Sequence, residues 1–130
     1  KPKLMHILIA ETRDNVRSAI KLLLEQQSES YLVEEVGTIS GLLEYGANKC
    51  PDVIILDWDL TESAPGLISA FHDSCSRPIL IVISSDPLIR NKVLMAGVDY
   101  FISKNEPPER LVTAVRHATE KKVTKTVRED

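Results

Sequence analysis

Two carboxylates close the stretch DVIILDWDL (residues 52–60). Asp57 ends the run Val53, Ile54, Ile55, Leu56, and Asp59 follows two residues on. A short continuous apolar run is the signature of a strand buried on both faces, so the acid at its end is aimed out of the core. Three more apolar runs end in polar groups: HILIA (6–10) in Glu11 and Thr12, ILIVI (79–83) in Ser84 and Ser85, and YFIS (100–103) in Ser103 and Lys104. If these ends share one edge, two acids, several hydroxyls and one lysine meet there. The chemistry such a group supports is phosphoryl transfer to a carboxylate. Asp57 would attack phosphorus and form an acyl phosphate, a reaction that needs positioning and charge neutralisation more than covalent help. Asp57 and Glu11 could hold a hard divalent cation such as Mg²⁺, with waters completing the octahedron. Lys104 could pair with one phosphoryl oxygen and Ser84 could donate its hydroxyl to another. Held close without a cation, the two acids would repel and one carboxyl pKa would rise.

Each residue also has a plainer reading. Asp57 could cap a turn, Glu11 could be a solvated strand end, Lys104 a surface lysine and Ser84 a turn serine. Asp14 and Asp86 read as helix caps.

The elements that must position these residues follow from the spacing of apolar side chains. After Asp14, the residues Val16, Ala19, Ile20, Leu23 and Leu24 form one helical face. YLVEEV (31–36) is a second strand, ended by Gly37. Ile39, Leu42 and Leu43 imply a short helix ending near Asn48, and Pro51 precedes the third strand. TESAPG (61–66) has turn chemistry; Leu67, Ile68, Phe71 and Cys75 then share a helical face. Ser85 or Asp86 with Pro87 opens the next helix, Ile89, Val93 and Ala96 give its apolar face, and Gly97 stops it. Pro107 and Pro108 open the last helix, in which Leu111, Val115 and Ala118 align. Five strand–helix alternations imply a parallel sheet with right-handed crossovers and helices on both faces. Ligands of such sheets sit beyond the carboxyl ends of the strands, where strand order reverses.

The chain has 130 residues, 43% of them hydrophobic and 27% charged, the size and make-up of one ordinary globular domain. A net charge of −3 gives no basic footprint for direct nucleic-acid contact. No apolar run approaches the roughly 18 residues of a membrane span, and no leader pattern is present. Cys50 and Cys75 share no metal-ligand spacing and read as reduced thiols in or near the core of a cytoplasmic protein. His6, His72 and His117 are scattered. The polar ending KKVTKTVRED reads as a linker: the domain is expected over 4–122 and the linker over 123–130 of an excerpt from a longer protein.

With ILIAETRDNVRSAIKLLLE, PDVIILDWDL, PILIVIS, AGVDYFISK and PPERLVTAV in view, the chain resembles the receiver domain of bacterial response regulators over about residues 4–122. The resemblance implies a flavodoxin-like (βα)5 sandwich with a parallel five-stranded sheet of order 2-1-3-4-5. It implies that Asp57 is the phosphoacceptor and that Lys104 contacts the phosphoryl group. Ser84 stands at the hydroxyl switch position and Phe101 at the aromatic one, and Asp59 would offer its backbone carbonyl to Mg²⁺. The phosphoryl charge would draw Ser84 and Lys104 inward. The surface made by the helix after strand four, strand five and the last helix would then rearrange. The implied partners are a sensor histidine kinase, a covalent output domain of helix-turn-helix type or a target protein, and a second copy docked through that surface. The receiver itself would not touch nucleic acid or membrane. It would not be an enzyme beyond taking phosphate from donors and slowly losing it.

Three features depart from the family pattern. The pair after strand one is Glu11-Thr12 where two acids are usual, so Thr12 replaces the direct metal ligand, and weaker Mg²⁺ binding follows. Position 61 is Thr where Pro is frequent. The segment from Ser84 to Gly97 is about two residues short, which would shorten the switch loop or its helix. These departures leave a second reading, a receiver-like interaction module that signals without phosphate. A remote third reading takes LDWDLT as the first motif of haloacid-dehalogenase-type phosphatases, with Asp57 as nucleophile and Asp59 as acid/base. The chain has no room for that family's cap.

Overall fold

The computed structural model describes residues 4–27, 31–74 and 77–129, leaving aside the side chains of residues 47 and 124–129. The described chain runs β1 (Met5–Ala10), α1 (Asp14–Glu25), β2 (Tyr31–Val36), α2 (Ile39–Asn48), β3 (Val53–Asp57), α3 (Trp58–Glu62), α4 (Leu67–His72), β4 (Ile79–Ser84), a 3₁₀ turn (Pro87–Ile89), α5 (Arg90–Met95), β5 (Tyr100–Ser103) and α6 (Pro108–Glu129). The five strands pair in parallel in the order β2-β1-β3-β4-β5, as the alternation and the resemblance require.

Alternation along each strand divides the core in two. Leu8, Ala10, Ile54, Leu56, Leu80 and Val82 face a layer built from α2 to α5, where Leu42, Leu67, Phe71 and Val93 meet them. Ile7, Ile9, Val53, Ile55, Ile81 and Ile83 face α1 and α6 through Ile20, Leu24, Leu111 and Val115. Burial on both faces explains why β1, β3 and β4 read as unbroken apolar runs. β2 lies at the edge and carries Glu34 and Glu35, which explains its weaker signal.

The structure departs from the sequence expectations in several places. Trp58–Glu62 continues β3 directly as a helical turn, so the loop expected at 61–66 begins late. Trp58, Leu60 and Thr61 bury themselves there, and a five-residue helix is too short to show a period. The N-cap of α1 is Arg13, which makes no side-chain cap bond; Asp14 instead pairs with Arg17 at 2.6 Å. The segment after β4 splits into one 3₁₀ turn and a six-residue helix. Asp86 caps that turn through the Leu88 amide. Cys50 is exposed on the loop before β3 and is disulfide-bonded, not a buried reduced thiol; Cys75 lies outside the described residues. α6 continues as helix through residue 122 to Glu129.

Gly97 closes α5 with φ +100°, and a Cβ built there would lie 2.9 Å from His72 Cε1. Gly97→Ala is therefore expected to cost about 1–3 kcal/mol, the usual cost of a strained backbone position. Urea denaturation should show the midpoint falling at constant slope.

Candidate functional site

The register of three strands brings the acids together. Ala10 pairs with Leu56 and Asp57 with Ile83, so Glu11, one residue past β1, lies level with Asp57 at the end of the neighbouring strand. Glu11 is fully buried and Asp57 is 2% exposed. Both lie at the carboxyl edge between the two faces of the sheet, beside the place where strand order reverses.

Lys104 reaches both from beyond the end of β5. Its ammonium lies 2.8 Å from Glu11 Oε1 and 3.5 Å from Asp57 Oδ1. The first is an ion-pair distance without good hydrogen-bond alignment, since Oε1 has no bonded partner by angle; the charge contact is what holds it. Glu11 Oε2 accepts from the Arg13 amide at 2.9 Å, and the Glu11 carbonyl accepts from Arg17 Nη1 at 2.8 Å. Asp57 Oδ1 accepts from the Asp59 amide at 3.2 Å. Burial, and then the Glu11 charge, push the Asp57 carboxyl above the usual carboxylate range; Lys104 and the Asp59 amide act the other way. The repulsion anticipated for two adjacent acids is therefore only partly offset by one lysine.

Ser84 and Phe101, the candidates for the switch, are also buried. The Ser84 hydroxyl accepts from the Asp86 amide at 3.1 Å, and the Ser84 carbonyl accepts from the Lys104 amide at 2.7 Å. Phe101 is 4% exposed and turned into the core. The Arg90 guanidinium lies 5.9 Å from its ring centre and donates to its carbonyl at 3.3 Å. Neither Arg90 nor Arg17 stood out in the sequence, because an arginine on a helix surface carries no local mark of what it reaches.

Thr12, a doubtful ligand, and the Asp59 carbonyl complete the candidates for a metal that the sequence offers. Thr12 is exposed. The Asp59 carbonyl accepts from the Ser63 hydroxyl at 3.1 Å, because Asp59 sits inside α3, where a carbonyl points along the helix axis. The Asp59 side chain is exposed. Among the described residues no group of three His, Cys, Asp or Glu side chains converges as a metal site.

The fold, with an acid at the end of β3 and a lysine at the end of β5, is that of a receiver domain. Comparison with known proteins agrees. The profile of the response regulator receiver domain matches residues 7–116. An oxygen regulatory protein NreC of Staphylococcus epidermidis is 31% identical over 120 residues, covering 86% of this chain and 53% of the relative. NreC of Staphylococcus haemolyticus is 28% identical over 116 residues, covering 86% of this chain and 54% of that protein. The chain thus spans about half the length of the curated relatives it matches. Among solved structures, a LuxR family DNA-binding response regulator from Silicibacter pomeroyi superposes with a TM-score of 0.74 at 30% identity, covering 90% of this chain and 93% of that one. A CheY-like receiver domain protein from Methanospirillum hungatei JF-1 gives 0.78 at 24% identity, covering 95% and 99%. The chain belongs to the response regulator receiver domain family and is a receiver domain of two-component signalling.

Receiver domains are signalling modules, generally without enzymatic activity, and they typically bind Mg²⁺ at the acidic site. The residues present here do not fit that ion. A hard dication wants several oxygen ligands, whereas Thr12 is exposed, the Asp59 carbonyl is engaged, and an ammonium lies against both remaining carboxylates. No helix among the described residues is long and apolar enough to cross a membrane.

Proposed function

We propose that Asp57 accepts a phosphoryl group from a sensor histidine kinase and that the domain thereby controls transcription through a helix-turn-helix output domain. The observation that carries this reading is the buried Asp57 carboxylate with Lys104 Nζ 3.5 Å from its Oδ1. Both the lysine and the Asp59 amide contact Oδ1, which leaves Oδ2 to attack phosphorus. The P–N bond of the donor breaks as the P–O bond to Asp57 forms. The Asp57 charge disappears and about −1.5 to −2 charges arrive on the phosphoryl oxygens, for which Lys104 is the nearest cation. Lys104 then shifts from Glu11 toward the phosphoryl group, and the Ser84 hydroxyl turns from the Asp86 amide to donate to it.

The Lys104 amide is bonded to the Ser84 carbonyl, so these movements are mechanically linked to β5 and Phe101. Leu88 and Met95, 91% and 87% exposed, stand on the 3₁₀ turn and α5, on the proposed output and dimer surface of α5, β5 and α6. The relatives named as oxygen regulators and LuxR family proteins support a transcriptional output. A cytoplasmic setting is part of this proposal, and the Cys50 disulfide weighs against it.

The test is intact-protein mass after incubation with acetyl phosphate, for the parent and for Asp57→Asn. One phosphoryl adduct on the parent and none on the variant is the expected result. No adduct on the parent, under conditions that label a control receiver, would favour the reading as a phosphate-independent interaction module.

A further inference from the structure

We infer that Lys104 is the resident cation of the acidic pocket and that its ammonium stands in place of the divalent ion. The inference rests on reading this pocket as the receiver site, and it concerns what neutralises the pocket before any phosphate arrives.

The reach of the lysine is the first argument. With strands in the order β1-β3-β4-β5 across this part of the sheet, Lys104 starts two strands from Asp57 and three from Glu11. Its tighter contact is nevertheless with the farther acid, 2.8 Å against 3.5 Å. The side chain extends past Asp57 to meet Glu11, whose longer stem brings a carboxylate to that point. The second argument is that Glu11 Oε2 accepts from the Arg13 amide, while Oε1, which makes no hydrogen bond, has the ammonium as its ion-pair partner at 2.8 Å. The Asp59 carbonyl accepts from the Ser63 hydroxyl, a bond that a metal contact would have to share or displace. A divalent ion would have to displace the lysine or sit beside it, and in the second case its charge would be repelled by the ammonium at close range. The exposed Thr12 offers no carboxylate to offset either cost. Glu11 therefore acts as a positioning residue: it anchors the lysine across both acids.

The experiment uses Trp58, the chain's only tryptophan, buried next to Asp57. Thermal unfolding of the protein is followed by Trp58 emission in EDTA and in millimolar MgCl₂. The parent, Thr12→Asp and the double variant Glu11→Asp/Thr12→Asp are compared. A ligand that binds only the folded state raises the melting temperature. The expected result is no Mg²⁺ shift for the parent and a clear upward shift for the double variant, with apparent Mg²⁺ affinity gained by roughly tenfold or more. A Mg²⁺ shift in the parent overturns the inference. So does indifference in both variants, because the exchange would then not lie in Glu11 and Thr12. Thr12→Asp changes only an exposed side chain and keeps the test open if the double variant does not fold. Labelling by acetyl phosphate separates this inference from the proposed function. Labelling of the parent that is equal in EDTA and Mg²⁺ supports both, and labelling that requires Mg²⁺ overturns the inference alone. Failure to label in either condition overturns phosphoacceptance and leaves the melting result to decide the cation.

Discussion

Lys104→Met should destabilise the folded domain by about 3–5 kcal/mol at neutral pH, the cost of leaving buried charge without its partner. Methionine keeps much of the apolar stem, so the loss measures the ammonium more than packing. What remains is two buried carboxylates on adjacent strand ends, held by the Arg13 and Asp59 amides alone. The pH dependence identifies the cause. As pH falls toward the carboxylate range, Asp57, whose carboxyl is already raised, takes up its proton and the repulsion disappears. The penalty of the variant should therefore shrink toward acid pH. Urea titrations of parent and variant at several pH values measure it. A penalty independent of pH would mean that Lys104 supports the fold by packing alone, and that the charge account is wrong.

Asp57→Asn is expected to act in the opposite direction, raising stability by about 1–3 kcal/mol at neutral pH, as when charge is taken out of a crowded buried ionic site. The variant leaves Lys104 and Glu11 as one balanced pair. The sign follows from linkage. A carboxyl whose pKa is raised on folding binds its proton more tightly in the folded chain, so its contribution to stability is complete below the ordinary carboxylate range. That contribution is lost as pH rises through the folded pKa. At neutral pH the ionised Asp57 thus weighs against the fold, and asparagine removes that burden. Near the acid end the two proteins should converge. The substitution proposed to abolish phosphoryl acceptance should therefore raise the melting temperature, a trade between stability and activity common at functional sites. A variant less stable than the parent at neutral pH would show that Lys104 and the amide already over-compensate the Asp57 charge.

The two predictions couple. In the double variant Lys104→Met/Asp57→Asn only Glu11 stays charged, so the penalty of losing the lysine should be smaller than in the parent background. The difference is the interaction between the two positions that a double-mutant cycle reports.

The sequence by itself determined the order of strands and helices, the two-faced burial of β1, β3 and β4, and the polar residue that ends each of them. These are local properties: apolar periodicity, strand length and the residue types at a boundary. They suffice to place Glu11, Asp57, Ser84 and Lys104 at one edge, because parallel strands with right-handed crossovers put all carboxyl ends together. The family resemblance rested on the same residues. The helical turn after Asp57 escaped sequence reading, since five residues carry no period and its Trp58, Leu60 and Thr61 are helical only because the core accepts them there. That turn aims the Asp59 carbonyl at Ser63, which a reading by position in the motif would have sent toward a metal. The choice of Glu11 over Asp57 as the closer partner of Lys104 was likewise a tertiary outcome. It depends on the distance across three strands and on one extra methylene in Glu11, and neither is visible in the spacing of residues along the chain. Electrostatic balance in a buried site is set by distances of a few ångströms between groups far apart in sequence. The chemistry present could thus be listed from the sequence, while the charge that meets it was decided only by the fold.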